Sequence, residues 1–175
     1  KQREPGALKV FEYRDGVLGS EESVAPGDGH QFGPRHMDFH PTAPWVYVSL
    51  EGQNTLSVHK FDGGRIAADP SFTRDILADR PNTTLLQRAG TVHVHPNGRV
   101  VYCVNRGDKT RPLEGKDVVI KPDNSFAVFS LDAGTGEPTL IQHIDTGGVS
   151  ARTFYIDPTG RMLVADTGRE APEDG

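Results

Sequence analysis

Apolar residues recur at every second position through much of this chain, and the alternating runs come in pairs joined by Gly- and Pro-containing turns. Leu8-Lys9-Val10-Phe11-Glu12-Tyr13 alternates and is followed by the turn Arg14-Asp15-Gly16, after which Val17 to Val24 reads as a second strand. A Gly/Pro-rich connection, Ala25 to Pro34, leads to runs at Arg35–His40, Trp45–Glu51 and Thr55–Phe61, with a weaker one around Phe72–Leu77. Four more follow at Gly90–His95, Val100–Arg106, Ser125–Leu131 and Thr139–Ile144, and two further runs lie between Arg152 and Asp166. Short period-two runs bounded by Gly, Pro, Asn and Asp predict β-strands and hairpins.

One phrase occurs three times. Arg35-His36-Met37-Asp38-Phe39-His40-Pro41, Thr91-Val92-His93-Val94-His95-Pro96 and Arg152-Thr153-Phe154-Tyr155-Ile156-Asp157-Pro158 are each an alternating strand entering a proline turn, and each is followed by a second apolar strand. The prolines lie 55 and 62 residues apart. Recurring all-β units at such spacings predict a β-propeller of four-stranded antiparallel blades. On this reading, residues 1–34 hold an outer half-blade and a connection, 35–88 a blade, 89–148 a second blade and 149–175 an inner half-blade. The second blade carries a charged insertion at 107–124, expected as a surface loop beside the site. A propeller closes a ring of roughly 4–8 blades. About three are present, so the others are expected from the rest of a longer chain or from a second chain.

Composition narrows the picture only modestly. A formal net charge of −5 argues against non-specific nucleic-acid binding. No apolar run reaches the length of a membrane span. Cys103 is the single cysteine, which excludes an intrachain disulfide, and a cytoplasmic location is expected. Cys103 lies within an apolar strand and reads as inert core.

Candidate chemistry emerges where the three copies differ. Six residues before the prolines stand Arg35, Gly90 and Arg152; ten residues after them stand Glu51, Arg106 and Gly168. A hairpin folded at the proline turn brings the first and the second position to the same end of a blade. Arg35, Glu51, Arg106 and Arg152 are therefore expected at one mouth of the central channel, Arg106 at its edge, with His36, Asp38, His93, Tyr155 and Asp166 nearby or further down the hairpins. Rim arginines and glutamates can equally be solvated salt links. Convergence at a concave mouth is the argument for an anion-binding site, in which Glu51 could serve as general base and the arginines could stabilise an oxyanion.

Other signals are weaker. Seven histidines invite a metal, but no Cys or HExxH pattern accompanies them, so no metal and no cofactor are expected. His40 and His95 precede turn prolines and read as turn residues. Ser49 and Ser150 lack a nucleophile-elbow sequence. Gly134-Thr135-Gly136 reads as a hairpin turn, and Trp45 as blade packing.

Gly33-Pro34-Arg35-His36-Met37-Asp38-Phe39-His40-Pro41, followed by Val46-Tyr47-Val48 and Glu51, resembles the seven-bladed propeller lactonase family. That family includes propeller-type 6-phosphogluconolactonases and the fungal carboxymuconate lactonizing enzyme. Val92 to Arg99 with Asn105-Arg106, and Ala151 to Phe154 with Asp157 to Arg161, look like its next two blades. The resemblance implies a seven-bladed ring, an acid/base role for Glu51 and substrate anchoring by Arg35 and Arg152. It also implies a catalytic His on an earlier blade, which no residue here matches. Arg106, His36 and His93 are the candidate substrate contacts beside them. The implied substrate is a small anionic lactone or carboxylate. Hydrolysis of a sugar lactone leads; cyclisation of a carboxymuconate and non-catalytic binding at the propeller face are the alternatives.

Overall fold

The computed structural model describes residues 5–78, 87–107, 110–113, 116–119 and 123–167, the two short pieces by backbone alone. Its strands are β1 (Leu8–Arg14), β2 (Val17–Val24), β3 (Pro34–Phe39), β4 (Trp45–Leu50), β5 (Thr55–Asp62), β6 (Arg65–Ile66), β7 (Phe72–Asp75), β8 (Arg88–Val94), β9 (Val100–Arg106), β10 (Thr110–Leu113), β11 (Lys116–Val119), β12 (Ser125–Leu131), β13 (Pro138–Asp145), β14 (Thr153–Ile156) and β15 (Leu163–Asp166). Among the described residues, the one helical piece is a 3-10 turn at Pro26–Gly29. Every strand pairing is antiparallel.

β8, β9, β12 and β13 form a four-stranded sheet in the order β13-β12-β9-β8. The preceding sheet runs β3-β4-β5, and its outer edge differs from expectation. Instead of one weak strand, β6 pairs with Phe61 and Asp62, and β7 pairs with Thr55 to Val58. Pro70 lies between the two pieces and has no N–H to give a ladder, so a continuous outer strand is broken there. β1–β2 and β14–β15 are separate hairpins. The insertion expected as a loop carries a hairpin of its own, β10–β11. Gly168 and the residues after it lie outside the described residues.

β4 shows how the sequence pattern becomes a layered core. Val46, Val48 and Leu50 point to one face and Tyr47 to the other, and all four are buried. The first set packs with Leu8, Val24, Phe32 and Ile66. Tyr47 packs with Leu56 and Val58 of β5 and with Ala89, Val92 and Cys103 of the next sheet. β12 repeats the arrangement, with Ala127 and Phe129 on that shared core and Phe126 and Val128 against Phe154 of β14. Each fully buried Val or Phe contributes roughly 1.5–3 kcal/mol, so the interfaces between successive sheets dominate stability. Sheets stack face to face, and the first strand of each lies beside that of the next: β8 sits between β3 and β14. This is the blade arrangement of a propeller.

The proline turns are joined by histidine. His40 Nδ1 accepts hydrogen bonds from the N–H of Thr42 (3.2 Å) and of Ala43 (2.9 Å). Its proton therefore sits on Nε2, which donates to the Gly98 carbonyl of the next turn at 2.8 Å. His95 does the same, accepting from the Asn97 N–H at 3.1 Å and donating to the Gly160 carbonyl at 2.9 Å. Gly98 has φ +69°, and a Cβ there would lie 2.7 Å from His40 Cε1. Trp45 packs on the Gly134–Gly136 turn in the same way, and Tyr47 Oη donates to the Gly136 carbonyl at 3.0 Å.

Alanine at Gly16 (φ +85°, open surroundings) should cost only the left-handed conformation, about 1–2 kcal/mol. Alanine at Gly98 should cost about 1 kcal/mol more, because it also displaces a hydrogen-bonded histidine. Urea unfolding of both variants checks this; equal losses would show that the His40 contact carries no stability.

Candidate active site

The site is assembled by a backbone irregularity. On the β3–β4 ladder Pro34 faces Leu50 and His36 faces Ser49, so Arg35 is an extra residue in a β-bulge. Bulges re-aim side chains at strand ends. β8 has a bulge at the equivalent place, between Ala89 and Val92. There the aligned residue is Gly90, where a Cβ would lie 2.5 Å from Val104 Cγ1. Packing thus excludes a third arginine at that step.

Glu51 is fixed through its backbone. Its N–H donates to the Gly33 carbonyl at 2.8 Å, and its carbonyl accepts from the Ala89 N–H of the next blade at 3.1 Å. The carboxylate Oε1 lies 2.7 Å from Arg106 Nη2 and 3.6 Å from Arg35 Nε. The Arg106 side chain is only 4% exposed, against 26% for Glu51 and 39% for Arg35. Arg106, expected at the edge, is thus the closest arginine to the carboxylate and the most deeply placed. Burial lowers its guanidinium pKa; Glu51 opposes this, and the charges of Arg35, Arg152 and Arg88 push it further down. Arg152 is exposed and bears on Arg106 only through its charge, while its backbone carbonyl accepts from Thr91 Oγ1 at 2.9 Å.

Arg88 was not among the candidates. It faces Arg106 directly across the β8–β9 ladder, and the sequence signal is its position two residues before Gly90.

His36 and His93 lie further along the same inner strands and make contacts between blades. His36 Nδ1 donates to the Val92 carbonyl at 3.2 Å, and its ring meets that of His93 edge-to-face at 5.3 Å. His93 Nδ1 lies 3.2 Å from Asp38 Oδ2, which also accepts from the Val94 N–H at 2.9 Å. His93 then packs on Phe154 and Tyr155 of the following blade. Burial alone would raise the Asp38 carboxyl, but its bonds from His93, Val94 and Phe39 outweigh this and hold it low. Asp166 pairs with Thr153 at the open end of the β14–β15 hairpin. Among the described residues, no three His, Cys, Asp or Glu side chains are grouped to hold a metal ion. A cavity of about 640 Å³ between β1–β2 and Phe39, Phe61 and Arg65 lies apart from Glu51.

A family model described as "Lactonase, 7-bladed beta-propeller" matches residues 8–169. The chain belongs to this lactonase family. A 6-phosphogluconolactonase of Bacillus subtilis is 30% identical over 160 residues, covering 90% of this chain and 40% of its own length. One of Formosa agariphila is 30% identical over 81% of this chain and 34% of its own length. Among solved structures, a periplasmic gluconolactonase of Pseudomonas aeruginosa superposes with a TM-score of 0.66 at 26% identity, over 90% of this chain and 40% of that one. A Lactobacillus plantarum protein superposes with a TM-score of 0.72 at 24% identity over 92% and 42%. The chain thus spans about 40% of the length of the first of these relatives.

In this lactonase-family chain two histidines with lowered pKa values contribute to the response to mild acid. Burial lowers the pKa of His36, and the neighbouring His93 adds to this; burial also lowers that of fully buried His59. His59 Nδ1 donates to the Ala67 carbonyl at 2.9 Å, while Nε2 accepts from Ser57 Oγ at 3.1 Å. The unfolded chain therefore takes up protons first. Stability is full above the ordinary His pKa of about 6.5 and falls as pH drops below it. Unfolding free energies at about pH 7.5 and 5.5 should differ in that direction, and His59→Gln should shrink the difference. An unchanged slope in that variant would exclude His59 as a contributor.

Proposed function

We propose that the protein is a lactone hydrolase acting on a sugar lactone, with Glu51 as the general base. The observation that carries this reading is Glu51 Oε1 held at 2.7 Å by buried Arg106 and at 3.6 Å by Arg35. The names of the relatives support the substrate class. Both arginine contacts fall on Oε1, and in this reading Oε2 takes a proton from water as the water oxygen attacks the lactone carbonyl carbon. Negative charge then develops on the carbonyl oxygen, where Arg35 and Arg152 stabilise it. Collapse of that intermediate breaks the ring C–O bond, and the proton passes to the released hydroxyl. The cyclising reaction would need the same groups to deliver a proton to carbon, whereas the relatives' names that state an activity refer to lactone hydrolysis.

Glu51→Gln keeps the shape and an acceptor for Arg106 but removes the base. It should lower kcat for lactone hydrolysis by about 10²–10⁴-fold, with secondary structure retained by circular dichroism. Turnover within a few-fold of wild type would remove Glu51 from this role.

The same reading includes a cytoplasmic protein whose ring is completed by further blades. Phe11, Tyr13, Val17 and Leu18 on one side, and Tyr155, Met162 and Val164 on the other, are large apolar side chains left exposed. Covering such surface is worth roughly 25 cal/mol per Å², against a total domain stability of about 5–15 kcal/mol. These 175 residues expressed alone should therefore self-associate or bind their missing blades. A cooperative, monodisperse monomer in sedimentation velocity would contradict the partial-ring reading.

A further inference from the structure

Arg152 is placed differently from the other charged groups of the site. Arg106 ends β9 and faces Arg88 across the ladder, and Glu51 is fixed by backbone bonds on both sides. Arg152 precedes β14, whose ladder to β15 begins at Thr153, so that ladder does not set its backbone. The stretch leading to it is irregular. Ser150 has φ +61°, which is uncommon for a residue with a side chain. Two side chains of the preceding blade hold this stretch. The Ser150 N–H donates to Asn124 Oδ1 at 2.8 Å, and the Arg152 carbonyl accepts from Thr91 Oγ1 at 2.9 Å.

Thr91 is suited to that contact. With Gly90 it forms the bulge of β8, where two residues stand opposite Val104, between the Ala89–Asn105 and Val92–Cys103 pairs. A bulge re-aims the side chains it carries. Thr91 is only 4% exposed, and a hydroxyl buried without a partner carries a desolvation cost. Its proton goes to the Arg152 carbonyl. Gly90 lies against the same stretch, since a Cβ on it would meet the Ala151 carbonyl at 3.6 Å. We propose that Thr91 is a positioning residue for Arg152: its hydroxyl fixes the Arg152 backbone, and with it the reach of an otherwise exposed guanidinium toward the lactone carbonyl oxygen. The proposal deepens the lactone-hydrolase reading and rests on it for the oxyanion that Arg152 stabilises. Thr91 acts through Arg152 and has no contact with the reacting atoms.

The test uses the full-length protein. Thr91→Val keeps the shape and removes the hydroxyl, Thr91→Ala removes it in a smaller side chain should the valine variant not fold, and Thr91→Ser keeps it. Loss of the hydroxyl should lower kcat for 6-phosphogluconolactone about tenfold with KM within about twofold, the pattern of an interaction that matters in the transition state. Thr91→Ser should stay near wild type. In an Arg152→Gln background Thr91→Val should add little, because the residue through which it acts is gone. Amide hydrogen exchange of residues 150–153 should quicken in Thr91→Val and not in Thr91→Ser, a readout that needs no substrate. A loss of kcat that persists undiminished in the Arg152→Gln background would overturn the proposal. Wild-type kcat in Thr91→Val, or equal losses in the valine and serine variants, would do the same. A wild-type protein that hydrolyses no lactone would sink the hydrolase reading and leave the anchoring role of Thr91 to the exchange data: lost protection in Thr91→Val supports it, and unchanged protection overturns it.

Discussion

Each sheet of this protein is stable because the next one covers it. Val46, Val48 and Tyr47 on β4, and Phe126, Ala127 and Phe129 on β12, are buried on both faces. A strand with two apolar faces must lie between two neighbours. Polar groups follow the same rule: Ser49 Oγ donates to the Gly90 carbonyl at 2.7 Å, Ala89 N–H to that of Glu51 at 3.1 Å, and Thr91 Oγ1 to that of Arg152 at 2.9 Å. Each of these bonds crosses from one blade to the next. Glu51 is held by the same joints, so its position depends on the packing between blades and not on its own hairpin alone.

This explains how a charged cluster can exist at depth. A buried ion pair gains little net stability, and removing one partner is costly because the other charge is left stranded. Arg106 and Glu51 fit that description, with one deeply buried and the other a quarter exposed. The cluster is held in place by apolar contacts beneath it, and its charges oppose the fold more than they support it. Such a balance is expected where function, and not folding, selects the residues.

Much of the architecture was legible because the side-chain period of a strand is two and the proline turns repeat. β3 to β5, β8, β9, β12 and β13 lie where alternation puts them. His40 and His95 could be read as turn residues from their place before proline. The split edge at β6 and β7 was not legible, since two paired residues leave no periodicity to read. The β10–β11 hairpin was hidden for a similar reason: charged residues dominate that stretch. For the site, counting from the prolines brought Arg35, Glu51 and Arg106 to one end of their blades. It could not give the burial of Arg106, which depends on neighbours on both sides. Arg88 escaped because it precedes the repeated phrase; Gly33 and Ser150 occupy its place in the other copies.

The histidine turns have a direction. His40 and His95 each give a proton donor to the turn of the following blade, a head-to-tail contact. In the third turn the histidine is replaced by Asp157. Its carboxylate accepts from Thr159 Oγ1 and from the N–H groups of Met162, Thr159 and Arg161, which hold it ionised with a pKa of about 2. An ionised carboxylate has no proton to pass on. The donation made by His40 and His95 therefore has no counterpart at Asp157, which makes this turn chemically unlike the two before it.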